Sequence, residues 1–142
     1  MGRLGFVKDA SSHWAMFDAP VLDPTEHPPG RGIAERVGEA LGCAVAIDVW
    51  RDVGWSIDVT VEGEALAIFI SELREGSTWL LCCARAESGF LSGAFRRPEP
   101  RARALRALAE RVDAILHAPF HSVKWYPDGW RGDVGDRATE HP

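Results

Sequence analysis

The sequence predicts an α+β fold. It reads as an antiparallel four-stranded meander, five-stranded if a last short segment joins it, with two helices on one face, in the order α-β-β-β-β-α. Three observations carry this reading. Residues 44–85 hold four runs of strand length, and the first two alternate cleanly between apolar and polar positions. Short turn signals separate the runs, so consecutive strands pair antiparallel. Two further segments, one on each side, carry apolar residues at helical spacing, and an apolar sheet face is the surface they can cover.

The first thirty residues read as an irregular N-terminal segment. Pro20, Pro24, Pro28, Pro29 and Gly30 break any regular element there, apart from a short strand within residues 6–17 carrying Trp14 and Phe17. Residues 32–41 follow as a short helix, with Ile33, Val37 and Leu41 on one face and Gly42 as the residue that stops it. The four strands are expected at 44–51, 55–62, 65–73 and 78–85. A loop at 87–99 leads into a helix over 100–117, whose stripe is Leu105, Leu108, Val112, Ile115 and Leu116. Residues 122–126 are the candidate last strand, and 127–129 complete a turn. The domain thus spans residues 1–130, and residues 131–142 form a tail with little to bury.

Turn chemistry suggests registers. Asp52-Val53-Gly54 as a three-residue loop pairs Val49 with Ile57 and Ile47 with Val59. Gly63-Glu64 as a two-residue turn pairs Val61 with Leu66 and Val59 with Ile68. Both choices keep apolar face against apolar face, and a slip of one residue would turn every side chain over.

Composition narrows the function classes. The chain has 142 residues, 46% hydrophobic and 26% charged, which is the make-up of an ordinary globular domain. Its net charge of −5 argues against a protein whose main task is gripping nucleic acid. No stretch reaches the ~20 apolar residues of a membrane span. The N-terminus lacks the apolar core of an export signal, so a cytoplasmic location is expected. Fourteen arginines against two lysines, with abundant alanine, fit a GC-rich bacterial genome. Cys43, Cys82 and Cys83 make a poor disulfide framework and read as reduced, buried thiols.

The candidate site is the sheet face away from the helices. The expected register sets Asp48 directly opposite Asp58, with Trp50, Thr60, Glu62 and Phe69 on the same face among small alanines. Directly opposed like charges are unfavourable in a sheet, so an acidic and apolar surface of this kind suits a partner that brings positive charge. Residues 1–95 carry fourteen acids against seven bases, whereas Arg96, Arg97, Arg101, Arg103, Arg106 and Arg111 gather around the second helix. His117 and His121 have the spacing of a helical metal pair, but Pro119 between them breaks the helix, so no metal site is expected. No nucleophile elbow, phosphate loop or dinucleotide fingerprint occurs, and neither a catalytic residue nor a cofactor is expected.

The leading expectation is a non-enzymatic protein-interaction module that binds a basic protein through Asp48, Trp50, Asp58, Thr60, Glu62 and Phe69, with no nucleic-acid or membrane partner. A small α-ββββ-α layout of this kind is similar in architecture to bacterial immunity proteins and secretion chaperones, although no motif carries the likeness. Two alternatives stand beside it. One is a small-molecule binder or enzyme with a pocket between sheet and helices, near Trp79 and the 124–130 segment. The other is a homodimer built through an uncovered sheet face or edge.

Overall fold

A computed structural model describes residues 12–20, 25, 28–42, 46–50, 54–74, 78–86, 98–117, 120–126 and 141–142. At positions 12, 46–50, 74, 98–99, 101 and 121 it describes the backbone alone. The α+β class holds. The elements run β1 (Ser12–Asp18), α1 (Arg31–Leu41), β2 (Ala46–Trp50), β3 (Gly54–Val61), β4 (Glu64–Arg74), β5 (Thr78–Arg85), α2 (Pro98–His117) and β6 (His121–Tyr126). Among the described residues six strands form one sheet in the order β2-β3-β4-β5-β1-β6, and every neighbouring pair is antiparallel. The meander from β2 to β5 is as expected.

The first correction is to the strand count: the short strand expected within residues 6–17 joins the sheet, which has six strands among the described residues rather than four or five. Residues 12–18 form a strand in the interior of the sheet, between β5 and β6. Ala15 and Phe17 face the core, while Trp14 and Met16 take the alternate positions. Apolar residues on both faces hide the period-two pattern that identifies a one-sided strand. The partners of β1 are also distant in sequence: Thr78 Oγ1 donates to Asp18 Oδ1 across 60 positions, at 3.2 Å.

The second correction is to the register. Ile47 pairs with Ile57 and Val49 with Trp55, two residues away from the expected pairing. Val59 pairs with Leu66 and Ile57 with Ile68, again a slip of two. A slip of two keeps every side chain on its face, so parity alone could not detect it. Two local causes account for it. Gly54 is a strand residue, not the loop's left-handed glycine. A Cβ there would lie 2.1 Å from the Ile70 carbonyl oxygen, so only glycine lets the two backbones approach. The β3–β4 turn is Glu62-Gly63, with φ of 51° and 81°. Two consecutive left-handed residues make a type I′ turn, whose twist suits a hairpin even with Glu in the first place.

Both helices pack on one face of the sheet, and a single apolar cluster fills the space between. From α1 it takes Ile33, Ala34, Val37 and Leu41, and from α2 Leu105, Leu108, Val112 and Leu116. The sheet supplies Phe17, Ile57, Leu66, Ile68, Ile70, Trp79, Leu81 and Trp125. Phe17 stacks on Phe120 at 5.1 Å between ring centroids. Two tryptophans tie the proline-rich entry to α1: the Trp79 indole N–H donates to the Ala19 carbonyl and that of Trp55 to the Pro28 carbonyl, both at 2.9 Å. An indole has one donor and pays for burial by finding an acceptor. Gly30 precedes α1 with φ 108°, and a Cβ on it would come within 2.8 Å of the Trp79 ring. Gly42, at φ 68°, ends the helix as expected. Arg111 of α2 donates to the Leu41 carbonyl at 2.9 Å, satisfying an end of α1 with a cation.

Candidate functional site

With the helices on one face, the other face of the sheet presents its alternate residues in rows. One row, read through the strand pairings, is Asp48, Ser56, Phe69, Cys82, Trp14 and Tyr126. The next is Trp50, Gly54, Ser71, Leu80, Met16 and Lys124. Between these rows lies an apolar pocket of about 200 Å³, lined by Trp14, Phe69, Ser71, Leu80 and Cys82. Trp14, Phe69, Ser71 and Leu80 are half-buried.

The six expected site residues divide three ways. Phe69 lines the pocket. Asp48 and Trp50 occupy the β2 ends of the two rows, opposite Ser56 and Gly54 respectively. Asp58 lies in the adjoining row opposite Ala67, Thr60 lies one step further opposite Ala65, and both are exposed. Asp48 therefore does not oppose Asp58; the two positions are diagonal neighbours in the register. Glu62 leaves the group altogether. It sits in the turn and reaches the helix side, 3.8 Å from Arg103 of α2.

Trp14, Leu80 and Cys82 were missed by sequence reasoning. Their signal was present in β5, where Thr78–Arg85 is apolar on both faces. A strand apolar on both faces has something apolar on each side, and one side was already assigned to the helices. Cys82 and Cys83 point to opposite faces, as neighbours on a strand must. Both are buried and free. Burial pushes the Cys82 thiol up to about 12. Cys83 is pushed well above the usual thiol range, first by burial and then by the neighbouring Cys82. Neither is a ready nucleophile. Cys43 lies outside the described residues.

Beneath the helices, the space near Trp79 is filled with apolar side chains among the described residues, Trp79 itself being fully buried. Residues 127–130 of the alternative pocket lie outside the described residues. Of the arginine cluster, Arg103 meets Glu62, Arg106 meets Glu110 at 3.9 Å, and Arg111 caps α1. Arg96 and Arg97 lie outside the described residues. No described helix is long and apolar enough to cross a membrane.

His117 ends α2 and His121 begins β6, so the expected pair is split between two elements. His117 instead meets Asp113 and His141, at 2.9 Å from the Asp113 carboxylate and 5.3 Å from the His141 ring centre. The C-terminal tail, expected to bury little, thus carries one residue that docks on the helix. No protein-family model matches the chain, and no curated protein matches it either.

Proposed function

We propose that this protein is an interaction module that binds another protein across the outer face of its sheet. An apolar side chain of the partner fills the pocket of Trp14, Phe69 and Leu80, and basic residues around it meet Asp58 and the Asp48 position. The pocket is the observation that carries this reading. At about 200 Å³ it is smaller than the ~300–1,000 Å³ of typical small-molecule sites. It has the size and apolar lining to seat one anchoring side chain. Anchors of this kind dominate the energetics of protein interfaces, and surrounding charges set specificity and encounter rate. The acidic excess of residues 1–95 complements a basic partner. The reading fits a cytoplasmic bacterial partner binder of the immunity or chaperone type.

The test is capture from the native host with the wild-type chain, Phe69→Arg, Asp58→Arg and a helix-side control, Arg106→Glu. The reading expects one basic protein to be retained by wild type and control and lost with both outer-face variants. The same protein captured equally by all four overturns it. Light scattering after size exclusion separates the homodimer: a dimer that Phe69→Arg dissociates would make the partner a second copy of this chain.

A further inference from the structure

On the helix side of the sheet, at the C-terminal end of α2, three side chains converge on one point. Asp113 is nearly buried, its side chain 12% exposed. Its Oδ1 accepts the Trp125 indole N–H at 2.8 Å and lies 2.9 Å from His117 Nε2. Its Oδ2 lies 2.6 Å from His141 Nδ1. One oxygen and one nitrogen from each ring all fall within 4.8 Å of one another.

We propose that Asp113, His117 and His141 form a binding site for a divalent transition-metal ion of the zinc class. The ligand set argues for this class. Two imidazoles and one carboxylate suit Zn²⁺ and its neighbours, whereas Mg²⁺ and Ca²⁺ seek oxygen ligands alone. Three protein ligands leave one position of a tetrahedral ion to water, which is an open site.

The geometry needs a rearrangement of side chains around the ion. Ligand atoms about 2.0–2.1 Å from a tetrahedral ion stand roughly 3.3 Å apart. The 2.6 and 2.9 Å contacts, which fall on different oxygens of Asp113, must therefore widen by less than the radius of an atom, and a pair near the 4.8 Å limit must close by about 1.5 Å. The parts are suited to that movement. Asp113 and His117 are four residues apart on one helix face, so their spacing is set by the backbone. Trp125 and burial hold the Asp113 carboxylate, the outer-shell support that oriented metal ligands require. His141, 65% exposed, is the ligand with room to swing. The ion enters from solvent on that side. With the ion bound in place of these contacts, each neutral ring carries its proton on its other nitrogen, Nδ1 of His117 and Nε2 of His141, and any proton displaced goes to solvent. The ion then ties the chain's C-terminal end to α2 across 28 positions of sequence. The site shares no residue with the outer-face pocket and does not depend on the interaction reading.

Calorimetric titration of the untagged full chain with ZnCl₂ tests it. One ion per chain is expected, with a raised melting temperature. Co²⁺ should give the visible ligand-field band of a four-coordinate ion, and Mg²⁺ should give no heat. His117→Ala and His141→Ala should each weaken Zn²⁺ binding about tenfold or more. His141 is exposed and outside the core, so circular dichroism of His141→Ala should match wild type, which separates loss of a ligand from loss of the fold. No binding at millimolar Zn²⁺, or binding that persists in the double variant, overturns the proposal.

Discussion

The two faces of the sheet use apolar residues for different ends. The helix-side face carries long aliphatics and tryptophans that are almost wholly buried, and each indole N–H there has a named acceptor: Trp55 on Pro28, Trp79 on Ala19, Trp125 on Asp113. The outer face mixes Trp14, Phe69 and Leu80 with alanine, serine and glycine, and leaves a pocket between rows. A filled face holds the chain together, and an incompletely filled one can accept something else. Substitutions should separate the two, with stability reporting on the first and binding on the second.

The largest effect belongs to the inner face. Trp79→Ala removes a fully buried side chain and orphans the Ala19 carbonyl, and should cost about 3–5 kcal/mol in urea unfolding. A loss under about 1 kcal/mol would mean the core collapses around the gap. Next comes Gly54→Ala, which forces a Cβ against the Ile70 backbone. There the backbone must give way, at about 3 kcal/mol, whereas Ala at exposed Gly42 meets no atom within 4 Å and carries only its left-handed strain. Leu80→Ala on the outer face should cost about 1–2 kcal/mol, less than the same change at fully buried Leu81, because part of its surface already meets solvent.

The cysteines bring both faces into one pH prediction. Cys82 on the outer side and Cys83 on the inner side have thiols raised by burial, so the folded chain keeps protons that the unfolded chain gives up. Their contribution to stability is full below the ordinary thiol value of 9.0 and is lost as pH rises towards about 12. The midpoint of urea unfolding should therefore fall as pH rises above 9.0, and the fall should be shallower in Cys82→Ala. An equal slope in both chains would count against the burial of Cys82. The smallest effect is a gain. Glu62→Asn suits the left-handed first position of a type I′ turn and should stabilise by about 0.5–1 kcal/mol, even though the exposed 3.8 Å contact with Arg103 is lost.

Local pattern made much of this fold readable. Helices α1 and α2 and strand β5 follow their apolar spacing to within a residue or two at each end. The faces of the earlier meander strands were also readable, because alternation records which side is buried, whereas β5 is apolar on both faces. What alternation does not record is a slip of two, and the decisive facts were tertiary. Gly54 is a glycine because of Ile70 on the next strand, not because of its own turn. In the candidate site, Phe69 could be placed on the outer face from parity, but Asp48 and Asp58 were set opposite each other only by the slipped register. Trp14 and His141 were beyond local reading. One joins the pocket through a strand sixty-odd positions away in sequence, and the other reaches Asp113 from the chain's far end.

The insertion of β1 between β5 and β6 sets an order of assembly. Strands β2 to β5 are consecutive and joined by short connections, so they can zip together locally, and fast closure favours such neighbours. Strand β1 has no such neighbour. Its partners are residues 78–85 and 121–126, so it is paired on both edges only once both of those strands are in place. Until then Trp14, Met16 and Phe17 travel unsheltered, and the inner sheet lacks the ring on which Phe120 stacks. Docking of β1 thus joins segments far apart in sequence, and interference with β1 should trap a four-stranded meander with an open edge at β5.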